Sequence, residues 1–188
     1  HVVIPDQLFD RTKGIRPATF FEGGVVAHVG FDRPFCPALS ATLHAAAQAA
    51  GATVHQGGTL VVMEGPAFST RAESEENRRR GHALIGMTAL PEAKLAREAE
   101  IAYACLAMVT DYDAWHPDHD AVTVEAVVAV LHANARLSQR IVAEAVARIG
   151  PDFTSAAHSA LATAIITDRA AIPAAVKERL QVIAGRYL

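Results

Sequence analysis

The sequence predicts an α/β domain in which short strands alternate with helices. The chain has 188 residues, of which 51% are hydrophobic and 20% are charged, so it can bury a full core as one domain, 1–188. Short runs of β-branched residues alternate with segments of helical periodicity. Proline and glycine separate several of these segments, as expected where the chain turns.

The first half of the chain contains three predicted strands and one predicted helix. The strands are residues 2–4, 25–29 and 59–63, which are short and rich in valine. The helix spans residues 37–50, because Pro37 suits a first helical turn and Gly51 suits the position after the last one.

The segment after residue 63 predicts a second helix with a defined start. Thr70 and Glu73 have the spacing of a capping box, in which each side chain binds the backbone N–H of the other residue. A strand, a turn and a capped helix place Phe68 and Ser69 on a fixed ledge at the carboxyl end of the strand.

The second half continues the alternation and ends in helices. Predicted strands are residues 83–87 and 101–109, and predicted helices are 91–100, 123–150, 155–167 and 173–184. The long helix has apolar residues at helical spacing along one face. The strand at 101–109 is apolar almost throughout, which is typical of a strand covered on both faces.

Asp111 and Asp113 follow this buried strand and are the strongest candidates for chemistry. In extended geometry both carboxylates project to the same side. Met87 and Thr88 end another strand, so the two pairs can share a ligand site at the sheet edge. One protonated and one ionised carboxylate suit a ring nitrogen beside an amino group, as in an aminopurine. Alternatively, the two residues close a strand and cap the next turn. Their spacing does not decide between a ligand site and this structural role.

Charge and hydropathy exclude two classes of partner. The net charge is −3, and the one cluster of cations, residues 78–80, follows three glutamates and is interpreted as a solvated helix end. We therefore expect no nucleic-acid partner. No apolar run reaches the length of a membrane span, and the first residues lack the pattern of a signal peptide, so the expected location is cytoplasmic and not in a membrane.

Histidine, cysteine and glycine patterns point to no metal site and no nucleotide-binding loop. Pro117 separates His116 from His119, which argues against a helical metal site, and no metal is expected. Cys36 and Cys105 are interpreted as reduced thiols. His28 lies in a β-type run, where a core or interface histidine is the default and a substrate contact is the alternative. Dinucleotide, P-loop and nucleophile-elbow motifs are absent from the sequence.

Three blocks of the sequence resemble one enzyme family. Residues 63–74 read MEGPAFSTRAES, residues 86–88 read GMT with PEAKLARE at 91–98, and residues 109–115 read VTDYDAW. In this order and at these separations they resemble the S-methyl-5′-thioadenosine phosphorylases. Residues 3–7, 10–12 and 33–37 resemble the same family, so the likeness runs nearly from end to end.

The resemblance implies a fold and a reaction. The fold is a mixed β-sheet flanked by helices, like that of the purine nucleoside phosphorylases. The reaction cleaves methylthioadenosine with inorganic phosphate, a co-substrate, and needs no cofactor. The products are adenine and 5-methylthioribose 1-phosphate, and the enzymes are homotrimers. A broader purine nucleoside phosphorylase is the alternative.

The resemblance also assigns roles to individual residues around the nucleoside. Asp111 is the catalytic acid at purine N7, and Asp113 accepts a hydrogen bond from the 6-amino group. The remaining contacts are Tyr112 and Ser69 for the substrate base, Phe68 for ring and ribose, Met87 for the ribose, Thr88 for phosphate, and His28, Val124, Val127 and Val128 for the methylthio group. His28 is expected to reach in from a neighbouring subunit.

One departure from the family concerns the start of the pattern. Family members begin about a hundred residues earlier, with a glycine-rich phosphate loop and an Arg-His pair, and His1 falls in the middle of the pattern. The chain therefore corresponds to the C-terminal two-thirds of a nucleoside phosphorylase domain. We expect the segment to be inactive alone and the parent enzyme to be active. The alternative is a non-catalytic remnant that has lost the phosphate site.

Overall fold

The computed structural model describes residues 1–116 and 124–188, apart from the side chains of Ala126, Val127, Ala129 and Ala133. Within these residues the strands are β1 (Val2–Ile4), β2 (Gln7–Arg11), β3 (Val54–Gln56), β4 (Thr59–Met63), β5 (Leu84–Gly86) and β6 (Ala107–Met108). The α-helices are α1 (Pro37–Ala49), α2 (Arg71–Arg79), α3 (Ala89–Glu98), α4 (Val124–Arg148) and α5 (Ala174–Ala184). Short 3₁₀ turns connect several of them.

The strands form two three-stranded sheets, with orders β3-β1-β6 and β2-β4-β5. The β1–β6 pair is antiparallel and the other pairs are parallel. Both sheets share one register, since Ile4 faces Gln56 and Gln7 faces Thr59 without a slip. The β1–β3 and β2–β4 pairs are therefore two halves of one bent pair of long strands, to which β6 and β5 each add a third strand.

The bend lies where Pro5 and Asp6 face Gly57 and Gly58. The Asp6 side chain accepts a hydrogen bond from the Gly58 N–H at 3.0 Å, and the Gly57 N–H donates to the Ile4 carbonyl at 2.8 Å. Gly58 has φ of +99°, and a Cβ there would come within 2.6 Å of the Ala83 Cβ. Only glycine fits this position without displacing the start of β5.

Helices cover both sheets through separate apolar clusters. α1 and α4 pack on β1 around Val2, Ala46 and Ile141, and α3 packs under β4 through Leu90 and Ala93. A third cluster joins the segment around residues 20–29 to α5: its buried members are Phe21, Val25, Leu161, Ala164, Ile172, Leu180 and Ala184. Across residues 1–116 and 124–188, we find no helix with both the length and the hydropathy to cross a bilayer.

Most predicted helices are confirmed, whereas the strand predictions are less accurate. The strand predicted at 25–29 is wrong: Ala27 forms only an isolated bridge to Ile165, because Val25 packs into the C-terminal cluster instead of a sheet. The strand predicted at 101–109 is reduced to β6, and the helix predicted at 155–167 is reduced to the 3₁₀ turn Ala156–Ser159. Strands β2 and β3 were not predicted.

Candidate active site

A cavity of about 710 Å³ opens between the residues that follow β4, β5 and β6. Its lining includes seven of the residues predicted for the site: Phe68, Ser69, Met87, Thr88, Asp111, Tyr112 and Asp113. Leu60, Leu84 and Leu106 supply apolar parts of the wall. Apolar walls with a few convergent polar groups are typical of small-molecule sites.

The shared cavity does not arise from a row of parallel strand ends. β4 and β5 are parallel, but β6 runs antiparallel to β1. Residues of β5 and β6 nevertheless line the same cavity. Because the long strands bend, the outer strands β5 and β6 both contribute to one wall of the cavity, although they belong to different sheets.

Asp111 and Asp113 are held by a turn and not by extended strand geometry. The Asp113 N–H donates to one Asp111 carboxylate oxygen at 2.8 Å, and the Thr110 hydroxyl donates to the other at 2.6 Å. Asp113 has φ of 58°, a left-handed conformation that aspartate tolerates better than most residues. The segment is therefore a turn that the Asp111 carboxylate caps, as in the alternative interpretation, and both residues also line the cavity.

Arg78 and Trp115 form a contact that the sequence did not predict. The Arg78 guanidinium lies 4.1 Å from the centre of the Trp115 ring, in cation–π geometry. Both residues line the cavity, and Trp115 ends the 3₁₀ turn that begins at Asp113. The end of α2 therefore supports the turn that carries the two aspartates. The interpretation of residue 78 as merely a solvated helix end is incomplete.

Met87 and Thr88 lie between β5 and α3. Thr88 is exposed at the N-terminus of α3, and its hydroxyl makes no capping bond to that helix. Leu90 is extended and the regular helix begins at Pro91, so this segment offers an anion the Thr88 hydroxyl and not a row of helix N–H groups. Met87 packs against Gly65, where a Cβ would approach the Met87 sulfur to 2.6 Å. Gly65 is thus required for the close approach of the turn after β4.

The capping box predicted for α2 is confirmed. The Thr70 side chain accepts from the Glu73 N–H at 3.2 Å, and the Glu73 carboxylate accepts from the Thr70 N–H at 2.8 Å. The bond from the Thr70 N–H, and a second one that the Thr70 hydroxyl donates to the Glu73 carboxylate at 2.9 Å, lower the pKa of Glu73. The cap fixes the ledge before it, where Ser69 is half-buried and Phe68 is 43% exposed.

The residues predicted for the methylthio group are not among those that line this cavity in the described part of the chain. His28 is exposed, and Val124 and Val128 are 62% and 42% exposed. The Val127 side chain lies outside the described residues. The structure of this one chain therefore collects the base, ribose and phosphate candidates but not the methylthio candidates.

The cysteines and histidines give no sign of a metal or a disulfide in residues 1–116 and 124–188. No three His, Cys, Asp or Glu side chains there come together in metal-binding geometry, and His119 lies outside the described residues. Cys36 and Cys105 are both free thiols, as predicted. Cys105 lines the cavity, and burial together with the nearby Glu92 raises its pKa to about 11.

The chain is similar to known proteins in sequence and in fold. The chain is 79% identical over 187 residues to S-methyl-5′-thioadenosine phosphorylase of Chloroflexus aurantiacus, covering 100% of this chain and 65% of that protein. A methylthioadenosine phosphorylase from an Antarctic soil metagenomic library superposes with a TM-score of 0.90 at 46% identity, covering 97% of this chain and 64% of the other. Methylthioadenosine phosphorylase from Schistosoma mansoni in complex with adenine has a TM-score of 0.76 at 31% identity, covering 81% and 60%.

The chain spans just under two thirds of the length of these proteins. The similarity of fold confirms the predicted mixed α/β architecture with flanking helices. Residues 1–147 match the family model described as the phosphorylase superfamily. Because this match covers most of the chain, the chain belongs to the phosphorylase superfamily.

Proposed function

We propose that the protein containing this chain cleaves S-methyl-5′-thioadenosine with inorganic phosphate, to adenine and 5-methylthioribose 1-phosphate. The observation that carries the proposal is the single cavity lined by Phe68, Met87, Thr88, Asp111 and Asp113. Relatives at up to 79% identity that carry this name support it. Phosphate acts as the second substrate, and the reaction as written uses no cofactor.

The reaction requires stabilisation of opposite charges on two sides of one bond. Cleavage of a purine N-riboside builds positive charge on the sugar and negative charge on the departing purine. The enzyme should therefore donate to the purine and bring an anion to the opposite face of the sugar. Asp111 and Thr88 contribute to the same cavity, as these two tasks demand.

Asp111 and Asp113 are proposed to bind the purine through N7 and the 6-amino group. Asp111, when it carries a proton, is the hydrogen-bond donor or general acid at N7. The Thr110 hydroxyl beside it can either donate or accept, and so tolerates both states of the carboxyl group. Ionised Asp113 accepts from the amino group. A 6-oxopurine would present an acceptor there, so the proposed base is adenine.

Thr88 is proposed to bind phosphate through its side-chain hydroxyl. Its exposed position and its hydroxyl, which makes no capping bond, support this role. Phe68 would lie against the ring and ribose, and Met87 against the ribose. Ser69 and Tyr112 would complete the nucleoside contacts.

A second copy of the chain is proposed to complete the methylthio pocket. The exposure of His28, Val124 and Val128 supports an arrangement in which His28 enters the site of a neighbouring subunit. The proposed assembly is the homotrimer typical of the family. Two free thiols support a reducing, cytoplasmic location.

The decisive experiment measures adenine release from methylthioadenosine by the full-length protein, with and without phosphate. Release only in the presence of phosphate is the expected result. Equal release without phosphate, or none in a protein whose coding sequence includes the glycine-rich loop and the Arg-His pair, would refute the proposal. A coding sequence that lacks those parts would identify a non-catalytic remnant.

We predict that Asp113→Asn changes the choice of base. An amide no longer offers a full negative charge to the 6-amino group, but it can donate a hydrogen bond to a 6-oxo group. The value of kcat/KM should therefore fall about 10- to 100-fold more for adenosine-type than for inosine-type substrates. Asp152→Asn, at an exposed position, is the control. Equal losses on both substrate types would contradict the role of Asp113.

The alternative of a broader purine nucleoside phosphorylase differs at the 5′ position. In the proposed methylthio pocket, the α4 valines would favour a methylthio group over a hydroxyl, because a hydroxyl buried against valine lacks a hydrogen-bond partner. Comparing kcat/KM for 5′-methylthio and 5′-hydroxy nucleosides separates the two. Equal values would favour the broader enzyme.

A further inference from the structure

The Arg16 guanidinium connects two segments that line the cavity. Its Nε donates to the Glu64 carboxylate at 2.6 Å, and one terminal nitrogen donates to the Met87 and Leu90 carbonyls, both at 2.6 Å. The other terminal nitrogen donates to the Glu64 carbonyl at 2.6 Å and approaches the Met63 carbonyl at 3.5 Å. All five N–H groups of the fork therefore have acceptors.

These acceptors belong to two segments of the chain, residues 63–64 and residues 87–90. Met63 and Glu64 end β4 and lead to Phe68 and Ser69, whereas Met87 follows β5 and precedes Thr88. Leu90 belongs to the first turn of α3. Arg16 thus links the segment that carries the base contacts to the segment that carries the phosphate contact.

The link is partly buried and charged. The Arg16 and Glu64 side chains are 23% and 11% exposed. The Lys13 N–H also donates to the Glu64 carboxylate at 2.7 Å, and this bond and the one from Arg16 lower the pKa of Glu64. An ionised carboxylate therefore faces the guanidinium, and the loop that carries both cations is anchored at two points.

The Met87 side chain also packs against the turn at Gly65. Gly65 lies against Met87 so closely that a Cβ would come within 2.6 Å of the sulfur. A shift of either segment would open this contact or produce a clash. Arg16 bonds to the residue before Gly65 and to Met87 itself, so it fixes both sides of the contact.

We propose that Arg16 is a positioning residue, which holds the Phe68–Ser69 ledge and the Met87–Thr88 segment at the separation needed for phosphate to attack the bound nucleoside. The inference rests on the proposed function. Arg16 does not line the cavity itself, so it acts through the backbone of its acceptors. A lysine cannot replace it, because an ammonium group offers three donors without the planar fork.

The test compares Arg16→Lys and Arg16→Ala in the full-length protein, with Arg97→Lys and Arg97→Ala as matched controls. Arg97 also donates to two backbone carbonyls, Gly30 at 2.6 Å and Arg33 at 2.5 Å, but lies away from the cavity lining. Because misplacement of about 1 Å can cost about 100-fold, Arg16→Lys should lower kcat/KM by about that factor, mainly through kcat. The controls should stay within about threefold.

Chemical rescue separates positioning from a general loss of stability. Millimolar methylguanidinium, which can occupy the space left by the Arg16 side chain and donate to the same carbonyls, should restore part of the activity of Arg16→Ala, whereas Arg97→Ala should have little loss to restore. If Arg16→Ala does not fold, the inference is tested by the kcat of Arg16→Lys, measured at a temperature below the thermal unfolding midpoint of that variant. Activity of Arg16→Lys within threefold of wild type, or an equal loss in Arg97→Lys, would overturn the inference.

Calorimetric titration with adenine and with phosphate distinguishes this inference from the proposed function. If the wild-type protein releases no adenine, the proposed function fails. The affinities for adenine and phosphate then test the positioning role of Arg16 separately. At least tenfold weaker binding of either ligand to Arg16→Lys supports the positioning role. Unchanged binding of both ligands overturns it.

Discussion

The Asp111 carboxylate is oriented by its own neighbours before any ligand binds. Thr110 and the Asp113 N–H each donate to one of its oxygens. The turn they form is backed by Trp115, on which Arg78 stacks. A polar group held by such contacts need not reorganise when charge develops on a substrate, which is how preorganised sites stabilise transition states.

At the residue scale, we predict that the Cys105 thiol is unreactive at neutral pH. Burial and then Glu92 raise its pKa to about 11, so the thiolate forms only as the pH rises towards that value. At pH 8, alkylation by iodoacetamide should be about 100-fold slower than in the urea-unfolded chain.

The measurement is made in a Cys36→Ser background, so that one thiol remains. Stopped reactions are quantified by mass spectrometry in native buffer and in urea. Equal rates in the two states at pH 8 would contradict the raised pKa.

The individual residues of the site differ in how far they are predictable. Asp111 and Asp113 stand out because two acids follow an apolar run, and a motif of this kind is local. Arg16 has no such signal. Its acceptors lie 48, 71 and 74 positions away along the chain, and only folding brings them together.

At the scale of elements, the start of α2 positions the ledge that carries Phe68 and Ser69. We predict that Thr70→Ala lowers the free energy of unfolding by about 1 kcal/mol, because it leaves helix N–H groups without their acceptor. The change should appear as a lower urea midpoint with an unchanged slope.

Thr42→Ala in α1 is the control for this prediction. The Thr42 hydroxyl donates to the Ala38 carbonyl within the helix, so alanine removes no cap and favours the helix slightly. Its midpoint should change little. A Thr70→Ala midpoint equal to that of Thr42→Ala would contradict the contribution of the capping box.

Helix ends were predictable because their signals are a few residues apart. Pro37, Thr70 and Glu73 lie within one turn of the helices that they start. Even the start of α3 follows this rule: Leu90 is extended before Pro91, and regular helix follows the proline. Residues 25–29 show why strands are harder to predict than helix ends. Their burial alternates as in a strand, but pairing depends on a distant partner.

At the scale of the whole molecule, several carboxylates join distant segments and should make stability depend on acid. Burial alone would raise the pKa of Glu100, but bonds from the Leu161 N–H, Tyr187 and Arg186 outweigh it and lower the pKa. The pKa of Asp10, which accepts hydrogen bonds from Lys94 and Thr12, is also lowered, although partial burial alone would raise it.

A pKa lowered by folding stabilises the native state above the unfolded value and loses that contribution as the pH falls through the folded value. We therefore predict that the stability contributed by these carboxylates is constant above about pH 5 and declines below the ordinary values of 3.8 for Asp and 4.5 for Glu. The free energy of unfolding in urea, measured from pH 7 to pH 3, tests this prediction.

Glu100→Gln should reduce the acid-dependent decline, because the substituted side chain does not titrate, whereas Glu178→Gln on the exposed face of α5 should not. Glutamine at position 100 meets the same positive φ as glutamate, so backbone strain cancels in the comparison. An identical decline in both variants would contradict the role of Glu100.

Local patterns along the chain were enough to predict the alternation of helices with short strands, the capped helix α2 and the pair of aspartates. These depend on hydrophobic periodicity and on hydrogen bonds between close neighbours along the chain. The bend of the paired strands, the common cavity, and the bonds of Arg16 and Arg78 became visible only in the folded chain. These depend on contacts between residues far apart in sequence, whose partners are selected by packing of the whole chain.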